Sequence, residues 1–330
     1  MRGDLGPRGT FTSVSRITAT LTLGVLCATC HPSVPAPSRS VTNVRLLTGM
    51  PGGGFYSLGE RLAAEYNRVL PDTFVQAHPT AGAVANLEAL EEGRADLALT
   101  FADVAYLSYA GRLDASGAPL EHLRGISVLA STPLHFVVGK NFAFHRMSDL
   151  RGRRVGVGPP GSGTALTAQL VFQTFGISPS LVDTQMLSFD DAARRLVQGS
   201  LDAMFDSAIY PGDSVRVATR AGARLVPLSG SAIERLHRDY PFFKLTLIPR
   251  ETYPDVGAIH TIGVDTLLIC RSDLDEELVY QLTKGLFRVL PMLSAAQNEL
   301  RSVDLDQAPA TPIPLHGGAA RYYRERELLR

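Results

Sequence analysis

The chain has 330 residues, enough for two domains of ordinary size, each with its own core. Apolar residues make up 45% and charged residues 19%, the balance of a packed globule rather than a disordered tail. Lys+Arg 32 against Asp+Glu 32 leave a formal net charge of +0, and no basic run is interleaved with aromatics; nothing here points to nucleic acid or acidic lipid as a partner.

Arg2, Arg8 and Arg16 precede an uncharged stretch from Ile17 to Ala28, and Pro/Ser-rich sequence follows from His31 to Ser40. A basic start, about 12 apolar residues and a polar sequel are the layout of a secretory signal over residues 1–30, with a linker over 31–41. The stretch is short of the roughly 20 residues that a membrane span needs, and no later segment is longer and as apolar. The mature protein is therefore expected outside the cytoplasm, in the periplasm or at the cell surface, free or tethered at its N-terminus. Of the three cysteines, Cys27 and Cys30 belong to this region, which excludes a disulfide framework in the mature chain. Cys30 is a candidate for lipid attachment, although both residues also read as apolar filler in a cleaved signal. Cys270, inside the apolar run Thr266 to Cys270, reads as a buried core thiol.

An internal repeat organises the rest. Arg45-Leu-Leu-Thr-Gly49-Met-Pro51-Gly52-Gly53-Gly54 and Arg154-Val-Gly-Val-Gly158-Pro-Pro160-Gly161-Ser162-Gly163 both read as a short strand opening into Gly-x-Pro-Gly-x-Gly. A helix-like stretch follows each, Leu58 to Leu70 and Ala165 to Phe175, with apolar spacing at Leu58, Leu62, Ala63 and Tyr66. A second pair recurs in the same order: Gly93…Asp96 leading into Leu97 to Ala102, and Gly199…Asp202 leading into Ala203 to Ala208. Each reads as a helix closed by glycine, an Asp turn and a short buried strand. Strands alternating with helices predict two similar α/β lobes, each a mainly parallel sheet flanked by helices. Leu134 to Val138 and Ile262 to Ile269 read as strands that cross between them. The lobes are then 42–138 plus 261–330, and 139–260 inserted between.

Glycine loops that open helices bring unpaired N–H groups and a favourable dipole to a ligand. Two such loops in paired lobes face one cleft at the carboxyl ends of the sheets. Ser162 and Thr164 add hydroxyls there; Phe55 and Tyr56 add stacking surface. Enzymatic patterns are missing: no Lys precedes the Ser/Thr of a phosphate loop, Leu166 stands where a dinucleotide fingerprint needs glycine, and no G-x-S-x-G occurs. The histidines are scattered without zinc-ligand spacing. Asp190-Asp191 and Asp273-Asp275-Glu276-Glu277 read as helix-start charges. No cofactor, metal or catalytic residue is implied.

Several signatures in order are specific enough to name a resemblance. From about Arg45 onward the chain resembles the TAXI-type solute-binding subunits of TRAP transporters, through LLTGMPGGGFYSLGERLA, PTAGAVANLEALEEGRADLALTFADVAY, DLRGRRVGVGPPGSGTALTA and LVQGSLDAMF, then IPRETYP, LVYQLTKGLF and PLHGGAARYYRE. The resemblance implies a two-lobed periplasmic-binding protein type II fold that closes on a small carboxylate or amino-acid-like solute. It implies integral membrane subunits of a TRAP transporter as partners. A divergent binding protein used for signalling or scaffolding is the alternative. By matching position the ligand would meet Pro51, Gly52, Gly53, Gly54, Phe55 and Tyr56, Thr80, Phe101, Ser162, Gly163 and Thr164, and Ser207 and Tyr210.

The departures from the family fall in these same loops. Its usual T-G-G-T-G-G-T-Y-Y-P pattern is here Thr48 to Ser57 with Pro51, Gly54 and Phe55 replacing hydroxyl-bearing residues. Phe101 stands where Gln is common, and Ile209 where Gly is. A more apolar pocket is expected. Asp206 is expected to pair locally at its strand end, His135 to be structural in a crossing strand, and Arg321, Tyr322 and Tyr323 to dock the last helix.

Overall fold

The computed structural model describes residues 41–51, 53–113, 117–296 and 305–329. Nearly all of the expected signal and linker, with Cys30, lies outside these residues, as does Gly52 of the first glycine loop.

The first half of the fold alternates β1 (Thr42–Leu47), α1 (Gly54–Val69), β2 (Thr73–His78), α2 (Ala83–Glu91), β3 (Leu97–Phe101) and α3 (Ala102–Tyr109). The long β4 (Leu123–Val138) leads out of it. The second half repeats the alternation with β5 (Arg154–Gly156), α4 (Gly163–Thr174), β6 (Asp183–Gln185), α5 (Phe189–Gln198), β7 (Ala203–Ser207) and α6 (Asp213–Arg220). After β8 (Arg224–Val226), α7 (Ser231–Asp239) and β9 (Phe243–Ile248), the chain returns along β10 (Ile259–Arg271) to α8 (Glu276–Ala296) and α9 (Gly317–Glu325). Among the described residues the strands form one path, β2-β1-β3-β10-β4-β7-β5-β6, with β8 on β4 and β9 on β10.

Each half carries the expected parallel set, β2-β1-β3 and β6-β5-β7. The crossing strands add antiparallel pairs to these parallel sets, so the sheet as a whole is mixed. β10 runs antiparallel to β3, β4 and β9, and β4 runs antiparallel to β7 and β8. The chain leaves along β4 and returns along β10, so the two run in opposite directions. No helical crossover joins them to impose parallel pairing. Both crossing strands also exceed their expected lengths, because each pairs within one half and then continues into the other.

The sequence repeat has a physical counterpart. Arg45 donates its N–H to Asp96 Oδ2 at 2.8 Å, and Arg154 donates to Asp202 Oδ2 at 2.9 Å. The two guanidinium groups then reach the carbonyls of Gly93 and Gly199, at 3.4 and 3.0 Å. Both glycines have left-handed φ, 72° and 75°, where a side chain would be strained. Each Arg–Asp pair thus ties a strand, β1 or β5, to the turn that ends a helix.

Packing sets the helix faces. α1 buries Leu58, Leu62, Ala63 and Tyr66, as its spacing predicts, but starts at Gly54 rather than Leu58 because the glycine loop enters the helix directly. One core cluster runs through both halves, from Leu87 and Val104 to Phe136, Val155 and Phe205. Another lies under α1, α8 and α9 and includes Cys270, whose thiol burial pushes far above its usual range. Asp275 accepts from Leu278 N at 2.8 Å and starts α8, as its charge pattern suggests. The terminal helix docks as expected: Tyr323 donates to Ile126 O at 2.8 Å, Arg321 meets Glu277 at 2.5 Å, and Tyr322 packs on Phe287.

Candidate functional site

Three helices begin at one place. β1 ends at Leu47, and the chain then turns, with Gly53 N donating to Met50 O at 3.0 Å, before α1 starts. α2 starts after Gly82, whose φ is +133° and where a Cβ would come within 3.3 Å of Ser162 Cα. α4 starts after Ser162, whose hydroxyl accepts from Ala165 N at 3.3 Å. Gly53 and Gly82 offer no capping side chain to α1 and α2. The N–H groups of Ala83, Gly163 and Thr164 have no intramolecular partner among the described residues. Such first-turn donors, with the dipoles behind them, favour an anionic or strongly accepting group.

A cavity of about 50 Å³ lies where these helix starts meet. Gly53, Gly54, Phe55 and Phe101 line it from the first half, and Ser162, Gly163, Thr164 and Ser207 from the second. Gly49, Met50, Ala81, Gly82, Ala83, Pro159 and Phe189 complete the wall, and no charged residue belongs to it. Ser207 is 8% exposed, and its Oγ is buried without a hydrogen-bond partner. Its N–H reaches Thr164 Oγ1 at 3.4 Å. Phe55 and Phe101 pack at 4.6 Å between ring centroids, and a Cβ on Gly163 would overlap the Phe101 ring. Glycine is needed at 163 because that ring closes over it.

The expected site residues divide. Gly53, Gly54, Phe55, Phe101, Ser162, Gly163, Thr164 and Ser207 share the cavity. Pro51 is exposed beside it, and Tyr56 lies on α1 away from the wall. Tyr210 packs against the core of the second half, next to a cis bond to Pro211. Thr80 holds the loop rather than the cavity: its hydroxyl lies 2.6 Å from Asn86 Oδ1 and 3.1 Å from Thr48 O, and accepts from Gly82 N at 3.1 Å. Asn86, fully buried, donates at 2.7 Å to the carbonyls of both Thr48 and Leu99. It joins the ends of β1 and β3 to the start of α2. Gly49 and Met50, inside the first glycine loop, also line the cavity, although neither carries a polar side chain that would mark it as a ligand contact. Phe189 follows Ser188, the cap of α5, and nothing in its sequence setting marks it as part of a cavity.

The halves also bond directly. Val84 N donates to Gly161 O at 3.0 Å, and the buried Thr167 hydroxyl lies 2.9 Å from Asp103 Oδ2. Burial pushes the Asp103 carboxyl up to about 6, against the opposing pull of the Thr167 hydroxyl and the Val104 N–H. Asp206 pairs locally, as expected, by accepting from the Ser214 hydroxyl, and burial pushes it up to about 7. His135 is structural: Nδ1 lies 3.2 Å from Asp206 O and Nε2 lies 2.8 Å from Tyr253 OH, which accepts from Gly212 N. Burial holds that imidazole down at about 4 and neutral. Among the described residues no cluster of three or more His, Cys, Asp or Glu is placed to hold a metal ion. None of their helices is long and apolar enough to cross a membrane.

Solved structures share this architecture. MatC from Rhodopseudomonas palustris with bound malate aligns with a TM-score of 0.57 at 16% identity, over 88% of this chain and 99% of that one. The periplasmic binding protein BugD aligns with a TM-score of 0.55 at 13% identity, over 87% and 94%. The alkanesulfonate-binding protein SsuA from Xanthomonas axonopodis pv. citri, bound to MOPS, gives 0.51 at 15% identity, over 88% and 95%. At such identities the likeness is one of fold: an α/β architecture with a mixed sheet flanked by helices, that of the type II periplasmic-binding proteins. The pattern of the NMT1-like family matches residues 46–326, and the chain belongs to that family.

Proposed function

We propose that this protein is an extracytoplasmic solute-binding receptor that holds a small acid between its lobes and carries out no chemical step. The observation that supports this best is the convergence of three helix starts on an uncharged cavity, with the Ser207 hydroxyl left unpaired beside it. Such a site binds and orients; it offers no paired acid and base and no activated nucleophile. The ligands bound to two similarly folded proteins, malate and MOPS, are acids and fit this reading. The lobes in this proposal are 42–138 plus 261–330, and 139–260, hinged on β4 and β10.

The finer reading is a receptor of the TAXI type, handing its solute to integral membrane subunits of a TRAP transporter. The motifs shared over the mature chain support it, as does the signal-like N-terminus, with Cys30 as the proposed point of lipid attachment. The test is a thermal-shift screen of the purified protein against small carboxylates, sulfonates and amino acids. A ligand at 100 times its dissociation constant adds about 2.7 kcal/mol, which moves the melting point of a chain this size by roughly 4 °C. A specific shift supports the receptor. A flat response across the library overturns it in favour of a signalling or scaffolding role.

A further inference from the structure

The walls of the cavity say more about the solute than that it is an acid. Resting on the receptor reading, we infer that the site selects a monovalent oxyanion with a short apolar tail, a carboxylate of two or three carbons, and rejects dicarboxylates and amino acids. Size argues first. A bound water takes on the order of 10–15 Å³ of such a space, so a cavity of about 50 Å³ admits roughly four or five non-hydrogen atoms. The Val84–Gly161 and Thr167–Asp103 bonds, at 3.0 and 2.9 Å, hold the two halves together at this spacing.

Charge argues second. One negative charge finds the N–H groups of Ala83, Gly163 and Thr164, without intramolecular partners, at the starts of α2 and α4. Ser207 Oγ, buried and unpartnered in the wall, supplies a further donor. A second carboxylate finds no Arg, Lys or His among the lining residues, and an α-ammonium finds no Asp or Glu. The acids next to wall residues in the chain, Asp103 and Asp206, are turned to Thr167 and Ser214 instead. An unpaired charge in this apolar space would be strongly disfavoured. Shape argues third, since Phe55, Phe101 and Phe189 offer apolar surface and no hydrogen bond to the tail.

The test is calorimetric titration of the purified protein with acetate, propionate, methanesulfonate, hexanoate, malate and glutamate. Acetate or propionate is expected to bind at least tenfold tighter than malate, glutamate or hexanoate. Methanesulfonate separates two chemistries: binding weaker than propionate supports a carboxylate, and binding tenfold tighter overturns it in favour of a sulfonate. Ser207→Ala should weaken the preferred ligand about fivefold to tenfold while leaving the melting point of the free protein unchanged. Malate or glutamate binding tighter than propionate overturns the inference and leaves the receptor standing. No heat with any member, together with a flat thermal-shift screen, overturns both.

Discussion

Replacing Thr167 by Val removes one hydroxyl and keeps the side-chain shape at a contact between the two halves. The hydroxyl lies 2.9 Å from Asp103 Oδ2 and 3.0 Å from Gly163 O, and both Thr167 and Asp103 are buried. Among the described residues Thr167 is the side-chain donor to Asp103, whose other carboxylate oxygen accepts from Val104 N at 2.8 Å. The folded carboxyl value of about 6 lies above the usual 3.8. The folded state therefore holds a proton that the unfolded chain has released. The stability this supplies is full below about pH 4 and is lost as pH rises through about 6.

At pH 8 the variant loses a bond to a buried charge, worth about 1.5–3 kcal/mol. At pH 5 it loses a bond between neutral groups, worth about 0.5–1.5 kcal/mol. Urea unfolding of wild type, Thr167→Val and Thr167→Ser at both pH values reads the difference directly. The Val variant should be about 2 kcal/mol less stable at pH 8 and about 1 kcal/mol less stable at pH 5. The Ser variant keeps the hydroxyl and should fall between Val and wild type at pH 8. A Val cost equal at the two pH values, or one under about 0.5 kcal/mol at pH 8, refutes the claim that Asp103 ionises against Thr167.

Two further perturbations test the polar network. Burial raises Asp206 to about 7, with the Ser214 hydroxyl pulling down and Asp190 pushing up, so wild-type stability should fall as pH rises toward 7. His135, held at about 4, opposes this by favouring the folded state as pH rises through its range, but it is common to wild type and to Asp206→Asn. The difference between those two proteins should therefore shift toward the variant by about 2 kcal/mol from pH 5 to pH 8, read by urea unfolding; no shift would mean that Asp206 does not titrate late. Asp202 is held below the usual carboxylate range by the Arg154 side chain, so its contribution is present above about pH 4 and lost as pH falls further. Asp202→Ala should cost about 1 kcal/mol at pH 7, the scale of a half-exposed pair, and less at pH 3. A cost independent of pH would show that Asp202 acts only by shape.

Much of the architecture was legible because it rests on local, repeated requirements. Arg45 with Asp96 and Arg154 with Asp202 recur at matching places because each strand must be tied to the turn that precedes the next strand. Gly93 and Gly199 recur because both turns need left-handed backbone. The crossing strands were legible only in part. The apolar core of β10 could be read, but its pairing with β4 and β9 depends on residues far away in sequence. The glycine loops could be read as helix openings, since backbone freedom leaves a compositional mark. Asn86, Thr80 and the Asp103–Thr167 bond leave none; ordinary polar residues acquire those roles only once the helices are packed.

Phe55 and Phe101 stand far apart in the sequence, and the fold makes them one feature. Phe55, which opens α1, and Phe101, which ends β3, meet at 4.6 Å, and Phe101 also covers Gly163 of the opposite half. A Gln at either place alone would remove the ring contact, worth about 0.5–1.5 kcal/mol. The two aromatics therefore support each other. This coupling accounts for a cavity that keeps backbone donors while its side chains turn apolar. The glycines that expose the N–H groups are required by close approach, as at Gly82 against Ser162. The side chains around them, apolar or uncharged, set the size and charge of what can enter.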